Sequence, residues 1–574
     1  GRITDAQGRT VNFENTVIVM TTKSGSASNK LSISYNGSFT FRGKPNYAYQ
    51  DMMTSREFID AVVDAFDPQT YKWADINKSS YGLSRGDFRV VFPHEDALYR
   101  YFNQEISLDE RDALLDKLAS VNGRKEYEKY FMSNSYLTNH SLSFSGGNDK
   151  SNFYASLEYQ RSKGSHKDNV DDYKFFFRDV FHIAKWATLD LSVTAYHSKA
   201  RTYATPNISD IPYISYFDEQ GNELSHTNYI MTPAYQASVE KITGVSLDYY
   251  PVKDFLNTYS TTKSTGVNAN AGLKINFTKW LSYEGRFQYS LTNGGSEQFV
   301  PADSYSVRFD RNKATNMDGE SFLPSSGGNY TVSDRRESSY TVRNQLSLDL
   351  GFGDQLMHRV TALAGFEFSD RLSAGHNSFL RGYNSFLRGY DYQTMEHILY
   401  NDYQLTTEGV KNPALPSIAS ATVNRFSPNT YGQSETEYRF VSMYANGAYT
   451  LMDKYSVNAS IRVDQSNLFG SDPSVQFKPI WSVGAIWNAG KEDFVRQHGF
   501  INRLNVRASF GYAGNSPNPG EGGPYDILKS TSDPAYSRFG LGYQVVTPAN
   551  DKLTWEKTRT INLGVDFAFL GNRL

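Results

Sequence analysis

The sequence predicts an all-β protein whose main element is a large antiparallel transmembrane β-barrel. Three observations predict this: apolar and polar residues alternate along many segments, short and long connections alternate between those segments, and aromatic residues are abundant at low mean hydropathy. The chain has 574 residues, of which 15% are aromatic, with Tyr 41 and Phe 37, yet its mean hydropathy is −0.55. In a transmembrane barrel only every second strand residue faces lipid, so these two properties occur together.

Alternation with a period of two residues recurs from end to end of the chain. The stretch 267–277 reads Val-Asn-Ala-Asn-Ala-Gly-Leu-Lys-Ile-Asn-Phe, which places apolar residues on one face and mostly polar residues on the other. A tilted strand of about 9–11 residues crosses the hydrocarbon of a bilayer. We therefore predict roughly fourteen barrel strands from such segments. Further examples are 31–35, 153–159, 189–195, 346–350, 457–463, 504–510 and 561–567.

The connections between these segments are predicted to be short at one end of the barrel and long at the other. Two short turns are predicted at 278–281 and 451–455. This asymmetry is typical of outer-membrane barrels, whereas a soluble sandwich has short connections at both ends. The long polar stretches are 42–135, 200–260, 293–337, 371–437 and 514–557.

Two helices are predicted inside the first long stretch. Thr54 and Glu57 fit a capping box, in which each side chain satisfies a free backbone N–H, and they lead into the apolar pattern of 58–66. A second amphipathic segment covers 107–118. We expect these to be the only convincing helices of the chain and to belong to an ordered loop.

Composition excludes several classes of function. The absence of cysteine excludes a disulfide framework, a thiolate zinc site and a cysteine nucleophile. A net charge of −3, with 21% charged residues, leaves no basic field suited to nucleic acid. The sequence contains no run of about 18 apolar residues, so no helical membrane span is predicted. No signal peptide opens the sequence, so we expect a mature or trimmed form.

No enzyme motif is found: the sequence has no Gly-x-Ser-x-Gly elbow, Walker A loop or Gly-x-Gly-x-x-Gly. We therefore predict a protein that is not an enzyme, and we assign no catalytic residue, metal ligand or cofactor. Glu223 and His226 have the spacing of metal ligands but stand without a partner motif. The remaining candidates are interpreted as solvated loop charges: the pairs Asp171–Asp172 and Asp218–Glu219, the adhesion-like tripeptide 85–87, and the possible calcium ligands Asp464, Asp472 and Asp493.

Aromatic residues in the first two long stretches form a further candidate set. Stacked rings suit sugar faces or extended peptides, although packing within the loops or an interfacial girdle is the commoner role of any one ring. The candidates are Tyr71, Trp73, Tyr81, Tyr99, Tyr101, Tyr213, Tyr216 and Tyr229.

Several blocks in consistent order resemble the SusC/RagA family of TonB-linked outer-membrane transporters of Bacteroidota. The stretch 17–25, Val-Ile-Val-Met-Thr-Thr-Lys-Ser-Gly, resembles the last strand of the family's plug, and 31–41 its first barrel strand. The block 502–515, Asn-Arg-Leu-Asn-Val-Arg-Ala-Ser-Phe-Gly-Tyr-Ala-Gly-Asn, is the closest of the matches. The other similar blocks are 139–148, 153–159, 455–464, 469–470, 553–558 and 562–567.

The resemblance implies a barrel of 22 strands, of which only part is present. It divides the chain into 1–25, a remnant of an N-terminal extension and the end of the plug, and 26–574, the barrel with its long extracellular loops. The family has a complete plug before the block at 17–25 and further strands after Leu574, so we expect the full protein to be longer. A seven-residue tandem copy, 377–383 followed by 384–390, is a further oddity.

The resemblance also implies a function, which is TonB-dependent import of an oligomeric nutrient across the cell outer membrane. The implied partners are a SusD-like surface lipoprotein acting as a lid, TonB with its ExbB/ExbD motor, and outer-membrane lipid, in an assembly of two SusC-like and two SusD-like chains. Glycan is the expected cargo and oligopeptide the main alternative. A passive porin or adhesin barrel and a soluble β-rich carbohydrate-binding protein are the rival classes. The family's plug bears much of the ligand site, so substrate-binding residues stay unassigned.

Overall fold

A computed structural model gives the fold of most of the chain. Its longest continuous part runs from residue 91 to residue 383, and no helix in the described parts is long and apolar enough to cross a membrane. The described residues are 2–4, 10–12, 30–47, 52–69, 91–383, 404–416, 422–427, 430–497, 499–517, 523–531 and 542–569.

A fourteen-stranded antiparallel sheet dominates these residues. Each strand pairs with the strands before and after it in the sheet's chain order, so the sheet is one continuous meander. Its strands are β3 (Ser32–Arg42), β4 (Ser135–Gly147), β5 (Ser151–Lys163), β6 (Asn169–Ala184), β7 (Ala187–Tyr203), β8 (Tyr259–Asn276), β9 (Leu281–Val300), β10 (Gly328–Phe352), β11 (His358–Tyr383), β14 (Thr430–Leu451), β15 (Tyr455–Ser466), β16 (Ile480–Trp487), β17 (Ile501–Ala513) and β20 (Thr558–Phe569).

Among the described residues, three antiparallel strand pairs lie outside this sheet. They are β1 (Arg2–Thr4) with β2 (Thr10–Asn12), β12 (Val410–Lys411) with β13 (Val423–Asn424), and β18 (Ile527–Thr531) with β19 (Gly542–Thr547). The family-like plug block at 17–25 lies outside the described residues. The predicted large antiparallel sheet is confirmed, and the fourteen strands of the described sheet agree with the roughly fourteen segments predicted from the alternation.

Strand register gives the sheet one apolar and one polar face. Leu157 pairs with Phe175, and Val193 of β7 pairs with Ala269 of β8, so these residues share a face. The residues between them, such as Asn268, point to the opposite face because successive side chains of a strand alternate. The period-two pattern read from the sequence is therefore the pattern of the two faces.

Strand connections differ sharply between the two ends of the sheet. At the short-turn end β8 and β9 are joined by residues 277–280, and β14 and β15 by residues 452–454, as predicted. The long-loop end carries the connections 43–134, 204–258, 301–327, 384–429 and 514–557.

The predicted loop bounds were wrong in the middle of the sheet. Residues 293–300 continue β9, and residues 371–383 continue β11, which therefore reaches 26 residues. The 25 residues of β10 pair with β11 along their whole length. These strands exceed the roughly 9–11 residues that cross hydrocarbon, so their polar ends look like loop in the sequence while the ladder continues through them.

Among the described residues, the α-helices lie at the long-loop end, except for the single turn Asp493–Arg496 at the other end. The capping boxes of Thr54 with Glu57 and of Ser107 with Glu110 are both formed, which confirms the two predicted helices. The expectation that no others exist was wrong. The helices are α1 (Ser55–Asp64), α2 (Pro93–Phe102), α3 (Leu108–Ser120), α4 (Gly123–Phe131), α5 (Pro233–Thr243), α6 (Pro251–Asn257), α7 (Tyr305–Lys313), α8 (Pro473–Gln476) and α9 (Asp493–Arg496).

The deepest packing lies in the loops and not in the sheet. We call the described residues of the connections 43–134, 204–258, 301–327 and 384–429 the loop layer. Apolar side chains of different connections pack together there: Ile59 of α1 with Tyr213, Phe131 of α4 with Phe255 of α6, and Met231 with Leu415. The four connections therefore form one ordered structure with its own hydrophobic core.

Replacing Phe131 with alanine is expected to loosen the loop layer locally. Phe131 is 0% exposed and contacts the rings of Tyr216 and Phe255 at centroid distances of 4.9 and 5.2 Å. Truncating a buried Phe costs about 3–5 kcal/mol. Hydrogen exchange and limited proteolysis within 123–131 should therefore accelerate. The control is Phe102→Ala, since Phe102 is 50% exposed; equal effects of the two changes would contradict a packed loop core.

Candidate functional site

The polar face of the sheet carries ion pairs between neighbouring strands. Glu337 on β10 accepts from Arg371 on β11 at 2.8 Å and from Arg335 at 3.3 Å. Arg178 on β6 and Asp190 on β7 form two parallel hydrogen bonds of 2.9 and 2.8 Å. Further pairs on this face are Arg343–Glu284, Arg359–Asp349, Arg462–Asp464 and Arg507–Asp566.

These pairs fix the orientation of the charged side chains. An Arg–carboxylate pair with two hydrogen bonds is geometrically specific as well as favourable. The polar face therefore presents charges of both signs in defined positions along most of the sheet. Such a surface suits a hydrophilic ligand that is held by several weak polar contacts.

Tyrosine rings lie flat over two glycines of the polar face. A Cβ atom on Gly266 would fall 2.4 Å from the ring of Tyr196, and one on Gly365 would fall 2.5 Å from the ring of Tyr444. The hydroxyl of Tyr444 donates to Gln345 at 3.1 Å. Only glycine lets these rings lie against the backbone, so each ring is held as an apolar patch with a polar edge among the charges.

Of the five loop aromatics among the described residues that were candidates for ligand stacking, four pack within the loop layer. Tyr99, Tyr213 and Tyr216 are only 4%, 2% and 5% exposed. Tyr229 packs against the same clusters, while Tyr101 is exposed and lies under Arg111 at 4.6 Å. For the buried rings the packing interpretation is therefore correct. Tyr71, Trp73 and Tyr81 lie outside the described residues.

Glu223 and His226 do not converge on a common centre. Glu223 accepts the backbone N–H groups of Val252 and Lys253 at 2.7 and 3.1 Å, which caps α6. The Nε2 atom of His226 lies 2.9 Å from the carbonyl oxygen of Ser215, and burial lowers the pKa of this histidine. Both side chains are structural supports of the loop layer.

The other polar candidates are also separate from one another. Asp171 accepts from the Tyr159 hydroxyl at 3.0 Å, and Asp218 accepts from the backbone N–H of Asn222 at 2.7 Å. Asp464 is held by Arg462, and Asp472 accepts the N–H of Ser474 at the start of α8. Within the described residues no group of three or more potential ligands could hold a metal ion. The tripeptide 85–87 lies outside them.

A second electrostatic centre lies at the short-turn end. Glu492 accepts from Lys454 at 2.8 Å, from the Tyr455 hydroxyl at 2.5 Å and from the Trp487 indole at 3.2 Å. These three donors lower the pKa of Glu492 to about 2. The carboxylate therefore stays charged and fixes the turn between β16 and β17.

His94 is buried in the loop layer, on α2. Its Nδ1 atom lies 2.6 Å from the Tyr213 hydroxyl, between the rings of Phe58 and Phe92. Burial lowers the pKa of His94 to about 4. The neutral imidazole is thus part of the packed core.

Sequence reasoning missed the ion-paired polar face as a site. The signal was present, because arginine and carboxylate residues occupy alternate positions of several predicted strands. Which of them pair depends on the strand register, and a single sequence does not give the register.

A meander with one apolar and one polar face, long loops at one end and short turns at the other is typical of the wall of a transmembrane β-barrel. The chain belongs to the family described as TonB dependent receptor-like, beta-barrel, whose family model matches residues 249–574.

Relatives with known names agree with this assignment. A TonB-dependent receptor of Formosa agariphila is 22% identical over 449 residues, which cover 76% of this chain and 38% of that protein. The TonB-dependent receptor SusC of Bacteroides thetaiotaomicron is 29% identical over 144 residues, 24% of this chain and 14% of that protein. The chain thus spans well under half the length of these two relatives.

Among solved structures, the RagAB peptide importer in its closed-closed state is similar to this chain; the match covers 96% of this chain and 54% of the importer's chain. The TM-score is 0.64 at 17% identity, so the likeness shows a shared fold.

Lowering the pH from 7 to 4 is expected to weaken the loop layer around α2. The folded pKa of His94, about 4, lies below its ordinary value of 6.5. The unfolded segment therefore binds the proton more readily, and stability present above pH 6.5 is lost as the pH falls towards 4. Protection factors of α2 amides, corrected for intrinsic exchange, should fall in this window.

His94→Gln should remove the part of the loss of α2 protection that comes from protonation of this histidine. His182→Gln, at the short-turn end, is the matched control and should keep the pH dependence. A pH-independent α2 in the unsubstituted protein would show that His94 does not titrate as described.

Proposed function

We propose that this chain forms part of the barrel of an importer that carries a hydrophilic oligomer across the outer membrane with energy supplied through TonB. The observation that carries the proposal is the ion-paired polar face of a sheet that belongs to the TonB-dependent receptor family. In a closed barrel this face would line the lumen, and the apolar face would contact lipid. Two-state gating of a plug by TonB would then open the path.

The division of the chain follows from the same proposal. Residues 26–574 would form the barrel, and residues 1–25 would be what this chain retains of an N-terminal extension and the plug. The first barrel strand of the sheet begins at Ser32, which is compatible with a boundary near residue 26. The long-loop end would face the exterior, as long loops do in bacterial outer-membrane barrels.

The proposed partners are a SusD-like lipoprotein seated on the long-loop end and TonB with ExbB/ExbD on the periplasmic side. The packed loop layer supports the first of these, because a lid needs an ordered surface to close on. An assembly of two barrels with two lipoproteins is part of the proposal. The barrel itself would do no chemistry.

Glycan is the cargo that we propose, with oligopeptide as the alternative. Rings with polar edges on the polar face, such as Tyr196 and Tyr444, suit sugar. The fixed arginines and carboxylates beside them favour the alternative, because peptides carry both charges.

Disabling TonB in cells that carry the full-length protein is expected to abolish uptake of its nutrient. An energised importer needs the partner for every cycle, whereas a passive porin would continue to conduct. Uptake of labelled oligosaccharide and of labelled oligopeptide should be measured separately, each with an intact-TonB control. Uptake that persists without TonB would rule out energised import.

Purifying the full-length protein in mild detergent is expected to bring down both a surface lipoprotein and a retained oligomer. Mass spectrometry of the extract then identifies the cargo: hexose-spaced masses support glycan, and amino-acid sequences support peptide. Extraction into buffer without detergent would contradict the membrane location and favour a soluble carbohydrate-binding protein.

A further inference from the structure

Five cationic side chains cluster on the apolar-face side of β5, β7 and β8, towards the long-loop end. Strand register places Lys199 directly opposite Lys263, in the same row as Arg161. The next row towards the loops contains Lys163 and Arg201. We call these five residues the cationic patch.

The cationic patch begins where the apolar residues of this face end; we call those apolar residues the apolar band. One row below it, His140, Tyr159, Tyr173 and His197 form a continuous row of aromatic rings across four strands, with successive centroids 6.5, 4.9 and 6.4 Å apart. The row below that contains Leu157, Phe175, Ala195 and Val267.

Aromatic rows of this kind lie at the boundary between hydrocarbon and headgroups. Adjacent rows on one face are about 7 Å apart along a strand. The cations would therefore lie at the depth of the lipid headgroups, on the surface that faces lipid.

Neighbouring carboxylates leave most of the patch uncompensated. Asp171 stands between Arg161 and Lys199 in this row, directly opposite each of them. It lies 3.7 Å from Arg161 and also accepts from the Tyr159 hydroxyl. One carboxylate therefore faces two of the cations in this row. Glu297 of β9 faces the edge of the patch through its pairing with Thr261. Among the described residues, Lys163, Lys199 and Lys263 have no ion pair within 4 Å.

Like charges directly opposite each other on paired strands are destabilising. The Lys199–Lys263 pair has this arrangement, and Arg201 lies one row above it, stacked on Tyr259 at 4.3 Å. Lys167, in the adjacent turn, extends the positive region. Burial lowers the pKa of Lys167, and the positive charges of Lys163 and Lys44 lower it further. A bound anion would relieve this repulsion.

We propose that the cationic patch binds the phosphate groups of lipid in the outer leaflet. The ligand class is a phosphorylated headgroup whose acyl chains lie against Leu157, Phe175 and Val267 below the aromatic row. The inference rests on the proposed outer-membrane location with the long-loop end outside. It concerns lipid and does not depend on the cargo or on TonB.

The test uses full-length protein in detergent and bisphosphorylated lipid A as the probe, with binding followed by native mass spectrometry. The expected result is clear preference for lipid A over its dephosphorylated form. The triple variant Lys199→Gln, Arg201→Gln, Lys263→Gln should weaken binding by about tenfold or more, since each cation near an anionic headgroup contributes separately. Heat-modifiable mobility, the difference in gel migration between heated and unheated samples, checks that each variant is folded.

Lys174→Gln is the matched control, because Lys174 lies on the polar face of the same sheet region and should leave lipid A binding unchanged. Lys199→Arg with Lys263→Arg keeps the charge and should retain binding. Three outcomes would each overturn the proposal. The first is equal affinity of the unsubstituted protein for lipid A and its dephosphorylated form. The others are unchanged binding by the folded triple variant and displacement of lipid A by an equal concentration of inorganic phosphate. Loss of TonB-dependent uptake with intact lipid binding would instead count against the transport proposal alone.

Discussion

The antiparallel backbone ladder from Ser32 to Phe569 is the constraint on which the rest of the structure depends. Each interior strand of the sheet hydrogen-bonds on both sides, which is how a sheet satisfies its backbone inside lipid, where no water is available. The ladder also fixes which residues share a face, because a shift of one residue would exchange the two faces of a strand. Apolar band, polar face and cationic patch are all consequences of this one register.

Stability is organised differently in the two parts of the molecule. In the sheet, large apolar residues of interior strands such as Leu346 and Val457 remain exposed, at 48% and 52%. This is expected of a barrel wall, whose apolar face packs against lipid and not against protein. The loop layer follows the rules of a soluble domain, with a buried aromatic core and capped helices. A barrel wall with a globular structure at one end combines a lipid-facing surface with an ordered outer surface on a single chain.

The sequence predicted the sheet well and the loops poorly, for physical reasons. Alternation in 267–277 is a local signal that survives any tertiary arrangement, and the capping boxes at Thr54 and Ser107 act over three residues. In contrast, α6 begins only where Glu223, nearly thirty residues earlier, accepts the N–H groups of Val252 and Lys253. Residues 371–383 look like loop in the sequence because polar residues and glycines interrupt the alternation on both faces of the strand.

By itself, the sequence determined the fold class, the two faces of the strands and the difference in connection length between the two ends of the sheet. Each of these follows from patterns among residues that are close together in the chain. Only the tertiary structure decided that Tyr213 and Tyr216 are core and not ligand platforms, that Glu337 joins Arg335 and Arg371, and that Lys199 faces Lys263. These outcomes depend on contacts between residues far apart in the chain. Such contacts are set by register and loop packing, which no local pattern encodes.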